Sequence, residues 1–200
     1  MKGQFFIIAA VIILIGFILL RNSLGIFDTL VERRIVESSM LNKQAINIMN
    51  EYKYLAGTAS LQGSVNRSGV EFLYNFSSYL RDERKVEILY VFVYMNDSAN
   101  TYSVTLGNFL NDNINASINV TTSTPQSINF SLNDKRNSTY NFAVSTDGII
   151  NINLTYRRID TSVTERLSID SRKNMTSFFI DLTLVENNKI RVKDVYNVTI

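Results

Sequence analysis

Residues 85–94 read KVEILYVFVY, and the reading of this stretch decides the fold. Val86, Ile88, Tyr90 and Phe92 stand on one parity and Leu89, Val91 and Val93 on the other. A strand with one wet side alternates apolar and polar residues, whereas a run apolar on both parities belongs in the middle of a sheet. The spacing predicts a central strand over 85–94.

Downstream the period of two persists. Asn96-Asp97 supplies a turn and Tyr102–Leu110 returns. Ile114, Ala116, Ile118 and Val120 alternate with Asn115, Ser117, Asn119 and Thr121, a half-buried strand. The pattern recurs at Ile128, Phe130 and Leu132, and again at Tyr140, Phe142 and Val144. Asp147-Gly148 is a two-residue hairpin signal leading into Ile150, Ile152, Leu154 and Tyr156. Val163–Ile169 is a weaker strand, Phe178 to Leu184 another, and Asn187-Asn188 turns the chain back into Lys189–Ile200. This rhythm predicts an antiparallel β-sandwich head over 85–200, with immunoglobulin-like spacing.

Upstream, residues 56–84 read as a loop (GTASLQGSVNRS, 57–68) and a short amphipathic helix carried by Phe72, Leu73, Phe76, Tyr79 and Leu80. The first 22 residues, MKGQFFIIAAVIILIGFILLRN, hold an uninterrupted apolar run from Phe5 to Leu20. As a helix this run spans roughly 24 Å, close to the ~30 Å hydrocarbon core of a bilayer. Beyond it Leu24, Phe27, Val31 and Ile35 recur at helical spacing, as do Leu41, Ala45, Met49 and Tyr52. The expectation is an α+β chain: one long helix over 1–55, membrane-embedded in its first half and amphipathic in its second, joined to the sandwich. A removable secretory signal fits less well, because the pattern runs on past Gly25.

Composition narrows the chemistry. The chain has 200 residues, no Cys, no His, no Trp and a net charge of +2. Thiolate and imidazole metal sites, disulfides and the usual nucleophile–base pairs are excluded. The even charge gives no argument for nucleic acid. Asn111-Asp112-Asn113 faintly resembles a calcium loop but lacks its Gly and terminal Glu, so a plain turn is the reading. No P-loop, GxGxxG or GxSxG is present, and no acid pair stands in an apolar setting that would raise a pKa. No catalytic residue, metal or cofactor is expected.

Asn is in excess, with 23 residues against 35 Ser plus Thr. Ten head Asn-x-Ser/Thr triplets: Asn66, Asn75, Asn96, Asn115, Asn119, Asn129, Asn137, Asn153, Asn174 and Asn197. Wet-face alternation alone would also raise Ser/Thr two residues after Ser/Thr, yet that occurs in 6 of 34 cases, against 10 of 23 for Asn. The excess is specific to Asn, as N-glycosylation acceptors require.

Lys2-Gly3-Gln4 directly before an apolar helix resembles the prepilin-type leader of archaeal type IV pilin-like proteins. The resemblance covers residues 1 to about 55 by motif. It implies cleavage by a prepilin peptidase between Gly3 and Gln4, a helix that anchors in the membrane or packs with other subunits, and a β-rich head. This chain departs from the family in its three-residue leader and in Ile8, where many pilins carry an acidic residue. The functional expectation is a pilin-like cell-surface structural subunit with a glycosylated head, at the cell membrane or in an extracellular filament. Its expected partners are the membrane, its own copies or other pilin-like subunits. The alternative is a single-pass anchored binding or adhesion module that does not form filaments, and behind it an exported enzyme with an unrecognised carboxylate site.

Overall fold

The computed structural model describes residues 13, 15, 19, 39–58, 67–96, 101–121, 125–143, 149–158, 161–170, 175–185 and 189–199. The chain divides into two units, Met1–Lys43 and Gln44–Ile200. In the first, Ile13, Ile15 and Leu19 are helical and more than half exposed. The account that follows concerns the second.

Two helices precede the strands. Residues 39–58 are helical (α1), and in the part from Gln44 onward Ala45, Ile48, Met49, Tyr52 and Ala56 form one buried stripe at helical spacing. Helix α2, Arg67–Arg84, buries Leu73, Ser77 and Leu80. Arg81 and Arg84 lie in its last turn, where cations complement the helix dipole. Lys85 then takes a left-handed conformation (φ 54°), which ends the helix and starts the first strand one residue later.

Nine strands follow: β1 Val86–Asn96, β2 Thr101–Phe109, β3 Ile114–Thr121, β4 Gln126–Leu132, β5 Arg136–Ala143, β6 Ile149–Arg158, β7 Thr161–Asp170, β8 Met175–Val185 and β9 Lys189–Thr199. They form a five-stranded sheet, β5-β2-β1-β8-β9, and a four-stranded sheet, β4-β3-β6-β7, with every pairing antiparallel. The neighbours β5-β2-β1 and β4-β3-β6-β7 are those of strands E-B-A and C′-C-F-G of immunoglobulin-type sandwiches. Strands β8 and β9, which carry the first sheet past β1, have no counterpart there.

The central strands of the five-stranded sheet, β1, β2 and β8, are buried on both faces. On one side Leu89, Val91, Val104, Leu106 and Phe179 meet Ile118, Ile152, Leu154 and Leu167 of the other sheet. On the other side an aromatic layer joins the sheet to the helices. Tyr52 of α1 packs on Phe76 of α2 (5.0 Å between centroids) and on Phe178 of β8 (5.8 Å), while Tyr74 of α2 packs on Phe109 of β2 (5.5 Å). The Tyr52 and Ser77 hydroxyls are 2.6 Å apart, which satisfies both in this buried layer. The result is three layers: helices, five strands, four strands. Edge strand β9 carries Lys189 and Lys193, and the Asp194 carboxylate accepts the Val195 N–H at 2.9 Å, both of which discourage pairing by another chain.

Three expectations require correction. The described fold is mostly β with two short helices, and it does not show the long N-terminal helix joined to a two-sheet head. Among the described residues no helix is long and apolar enough to cross a membrane. The physical reason is plain in the two helices: α1 carries Glu51 and Lys53 between its buried positions, and α2 carries Glu71 and the charged run at 81–84. The membrane-helix assignment, and the placement at a cell membrane or in an extracellular filament that rested on it, are not supported by the described residues. The fold likewise adds no support for the pilin, glycoprotein or adhesion labels. Phe5–Leu20 lies almost wholly outside the described residues.

Gly107 faces Tyr90 across the β1–β2 ladder, and a Cβ on Gly107 would stand 2.2 Å from the ring. Tyr90 is itself fully buried and stacked between Phe109 and Phe178, so the ring has nowhere to go. Gly107→Ala is expected to cost about 1–3 kcal/mol in urea denaturation, as overpacked cores do. A loss under about 0.5 kcal/mol, the range of neutral surface changes, would show that the ring moves aside.

Candidate functional site

The most strongly organised polar group joins the layers. Asp181 of β8 is fully buried, between the sheets. Its Oδ2 accepts the Tyr156 hydroxyl of β6 at 2.6 Å, and its Oδ1 accepts Arg191 Nε of β9 at 2.8 Å. Arg191 Nη2 also donates to Oδ2, so the guanidinium is bidentate. Nearby, Lys193 of β9 pairs with Glu165 of β7 at 2.8 Å. The Asp181–Arg191 pair lies within the five-stranded sheet, and two links tie that sheet to the four-stranded one: the hydrogen bond from Tyr156 to Asp181 and the ion pair of Lys193 with Glu165.

Burial alone would raise the Asp181 carboxyl, but the hydrogen bonds from Arg191 and Tyr156 outweigh it and hold the group below the usual carboxylate range. Burial, and then the bond to this carboxylate, pushes the Tyr156 phenol up. The bond to Asp181 likewise raises Arg191. This is the protonation pattern of a latch: each proton is held more firmly on the group that donates it.

A second feature is the outer face of the four-stranded sheet. Across β4, β3, β6 and β7 one row reads Ser131, Asn115, Arg157, Ser162, the next Asn129, Ser117, Thr155, Thr164, and a third Ser127, Asn119, Asn153, Arg166. Cross-strand bonds run through it: Ser127 Oγ donates to Asn119 Oδ1 at 2.5 Å, and the Thr155 and Thr164 hydroxyls are 3.0 Å apart. Asn151 Oδ1 accepts both Ser168 Oγ (2.8 Å) and Arg166 Nε (3.2 Å). A shallow groove of about 470 Å³ crosses this face.

The sequence-predicted sites scatter around these features. Asn115, Asn119 and Asn129 are exposed on the polar face and Asn153 is half-buried there. Each shares that face with the hydroxyl two residues on, a direct consequence of strand alternation. Asn197 is exposed on β9, and Asn96 closes β1. Asn75 is exposed on α2, but the hydroxyl of its triplet is the fully buried Ser77. Asn137 is half-buried beside the Tyr90 hydroxyl. Gly3, Gln4, Asn66 and Asn174 lie outside the described residues.

Asn111-Asp112-Asn113 is a turn whose polar groups serve its own backbone. Asn111 is left-handed (φ 66°) and its N–H donates to Asp134 Oδ1 at 2.9 Å. Asn113 Oδ1 accepts the Asp134 N–H at 3.2 Å, and the buried Asn108 Nδ2 donates to the carbonyls of Asp112 and Leu132. Among the described residues no group of three or more acidic, His or Cys side chains could hold a metal ion.

Sequence reasoning missed the Asp181 latch. In FFIDLTLV the Asp sits on the parity opposite Phe178, Ile180 and Leu182, which reads as a wet face. Arg191, ten residues on in the next strand, gives no local signal. No family model, curated protein or solved structure matches this chain.

A group whose folded pKa is depressed contributes stability above its unfolded value of about 3.9 and loses it as pH falls through the folded value. Stability is therefore expected to fall as acid takes the protein below about pH 4, and Asp181→Asn should flatten that limb. At neutral pH the same change should cost about 1.5–3 kcal/mol, because Tyr156 and Arg191 lose their bonds to a charged acceptor. Urea unfolding across this pH range reads both, and an unchanged acid limb in the variant would contradict the latch.

Proposed function

We propose that this chain is a non-catalytic structural subunit that acts through contact surfaces. The observation that carries the reading is the difference between the two outer layers. The four-stranded sheet displays amides and hydroxyls, whereas the helical layer leaves Ile46, Tyr54, Phe72 and Tyr79 at least half exposed. Phe72 and Tyr79 are seven residues apart, two turns, and so share one side of α2. Large apolar side chains left on one layer mark a packing surface, and a polar layer marks one that stays wet. The charged groups the fold does bury are spent in the inter-sheet latch, which rigidifies and leaves no acid poised for proton transfer in that cluster. The leader resemblance at Lys2-Gly3-Gln4 agrees with a subunit that is processed before it assembles.

A second reading, a binding module that stays monomeric, is favoured by the groove on the polar sheet. Sedimentation velocity of the full chain separates the two. The expected result is concentration-dependent self-association that a Phe72→Ser, Tyr79→Ser double variant abolishes without a change in thermal midpoint. A wild-type chain that stays monomeric at all concentrations would overturn the structural reading in favour of the monomeric module.

A further inference from the structure

We propose that the groove on the outer face of the four-stranded sheet binds an acidic polysaccharide, with Arg157 receiving the carboxylate of a uronate residue. Its polar lining is Asn115, Ser117, Asn129, Thr155, Arg157 and Ser162, and no carboxylate lines it. Arg157 is exposed and has no partner among the described residues, whereas the other guanidinium of this face, Arg166, is engaged by Asn151. A free guanidinium among neutral polar groups is a receptor for a planar anion, which it can hold through two parallel bonds. The amides and hydroxyls around it both donate and accept, as vicinal sugar hydroxyls require.

The grid favours a polymer over a lone anion. Rows of Asn, Ser and Thr repeat along the strands at about 6.8 Å, two residues of rise, and across them at about 4.8 Å. Each row offers the same chemistry one step further along, so a chain of hydroxylated units can continue past the groove. The volume of about 470 Å³ lies within the range of ligand clefts, about 300–1,000 Å³. Nucleic-acid affinity comes mainly from neutralising many phosphates, and the groove lining supplies one guanidinium among amides and hydroxyls, which disfavours nucleic acid. The site is distinct from the helical packing layer and does not depend on it.

The test is isothermal titration of the full chain, made in a host without N-glycosylation so that Asn115 and Asn129 carry no sugar. The probes are polygalacturonate, dextran of similar length, and single-stranded polyuridylate. Polygalacturonate should bind at least about tenfold more tightly than dextran, as expected for a charge-assisted bidentate contact. Arg157→Gln should weaken polygalacturonate about tenfold, and Arg166→Gln less than about threefold, because its guanidinium is already bonded. Raising the salt concentration should weaken the wild-type interaction. Equal binding of dextran, an unchanged Arg157→Gln variant with a native thermal midpoint, or no binding at all would overturn the proposal. Preference for polyuridylate would overturn it in favour of a nucleic-acid surface.

Discussion

Strand β1 has no wet side, and the architecture follows from that. Val86, Ile88, Tyr90 and Phe92 face one way, Leu89, Val91 and Val93 the other, and all are buried. One face is covered by the four-stranded sheet. The other would be left to water in a two-sheet sandwich, with several large side chains exposed, each worth about 1.5–3 kcal/mol on burial. Helices α1 and α2 cover it instead, and the aromatic layer of Tyr52, Phe76, Tyr90, Phe109 and Phe178 is the joint. Gly107 belongs to the same constraint, because the Tyr90 ring lies across a ladder position where any side chain would collide with it.

The latch solves a problem that burial creates. A carboxylate placed between two sheets costs several kcal/mol unless it is paired and hydrogen-bonded. Asp181 is both, through Arg191 and Tyr156, and the three groups come from three strands in two sheets. Apolar packing between sheets is non-directional and tolerates sliding. A bidentate ion pair with a phenol in line fixes one register. Lys193 with Glu165 adds a weaker, more exposed link nearby.

Much of this fold was legible in the sequence. The two-sided run at 85–94, the alternation in Ile114–Thr121 and the periodic stripe through Ala45, Met49 and Tyr52 each read directly as local structure, because side-chain period is a local property. The layer count was not legible. The parity of β8 that holds Asp181 and Thr183 looks polar, and nothing nearby says that it faces the second sheet while Phe178 faces the helices. The sequons were legible as residues but not as an arrangement. Only the strand register shows that Asn115, Asn119, Asn129 and Asn153 share one face, while the hydroxyl that follows Asn75 is buried. The apolar run at Phe5–Leu20 led the reading toward a continuous helix over 1–55, and the described residues do not show one.

The central claim is that the five-stranded sheet is stable only with both faces covered. The most direct measurement is cooperative unfolding of a chain limited to residues 85–200, which lacks α1 and α2. Such a chain is predicted to bind a hydrophobic dye and to melt without a cooperative transition, because Tyr90, Phe92 and Phe178 would face water. A sharp two-state transition near that of the full chain, with no dye binding, would contradict the three-layer account.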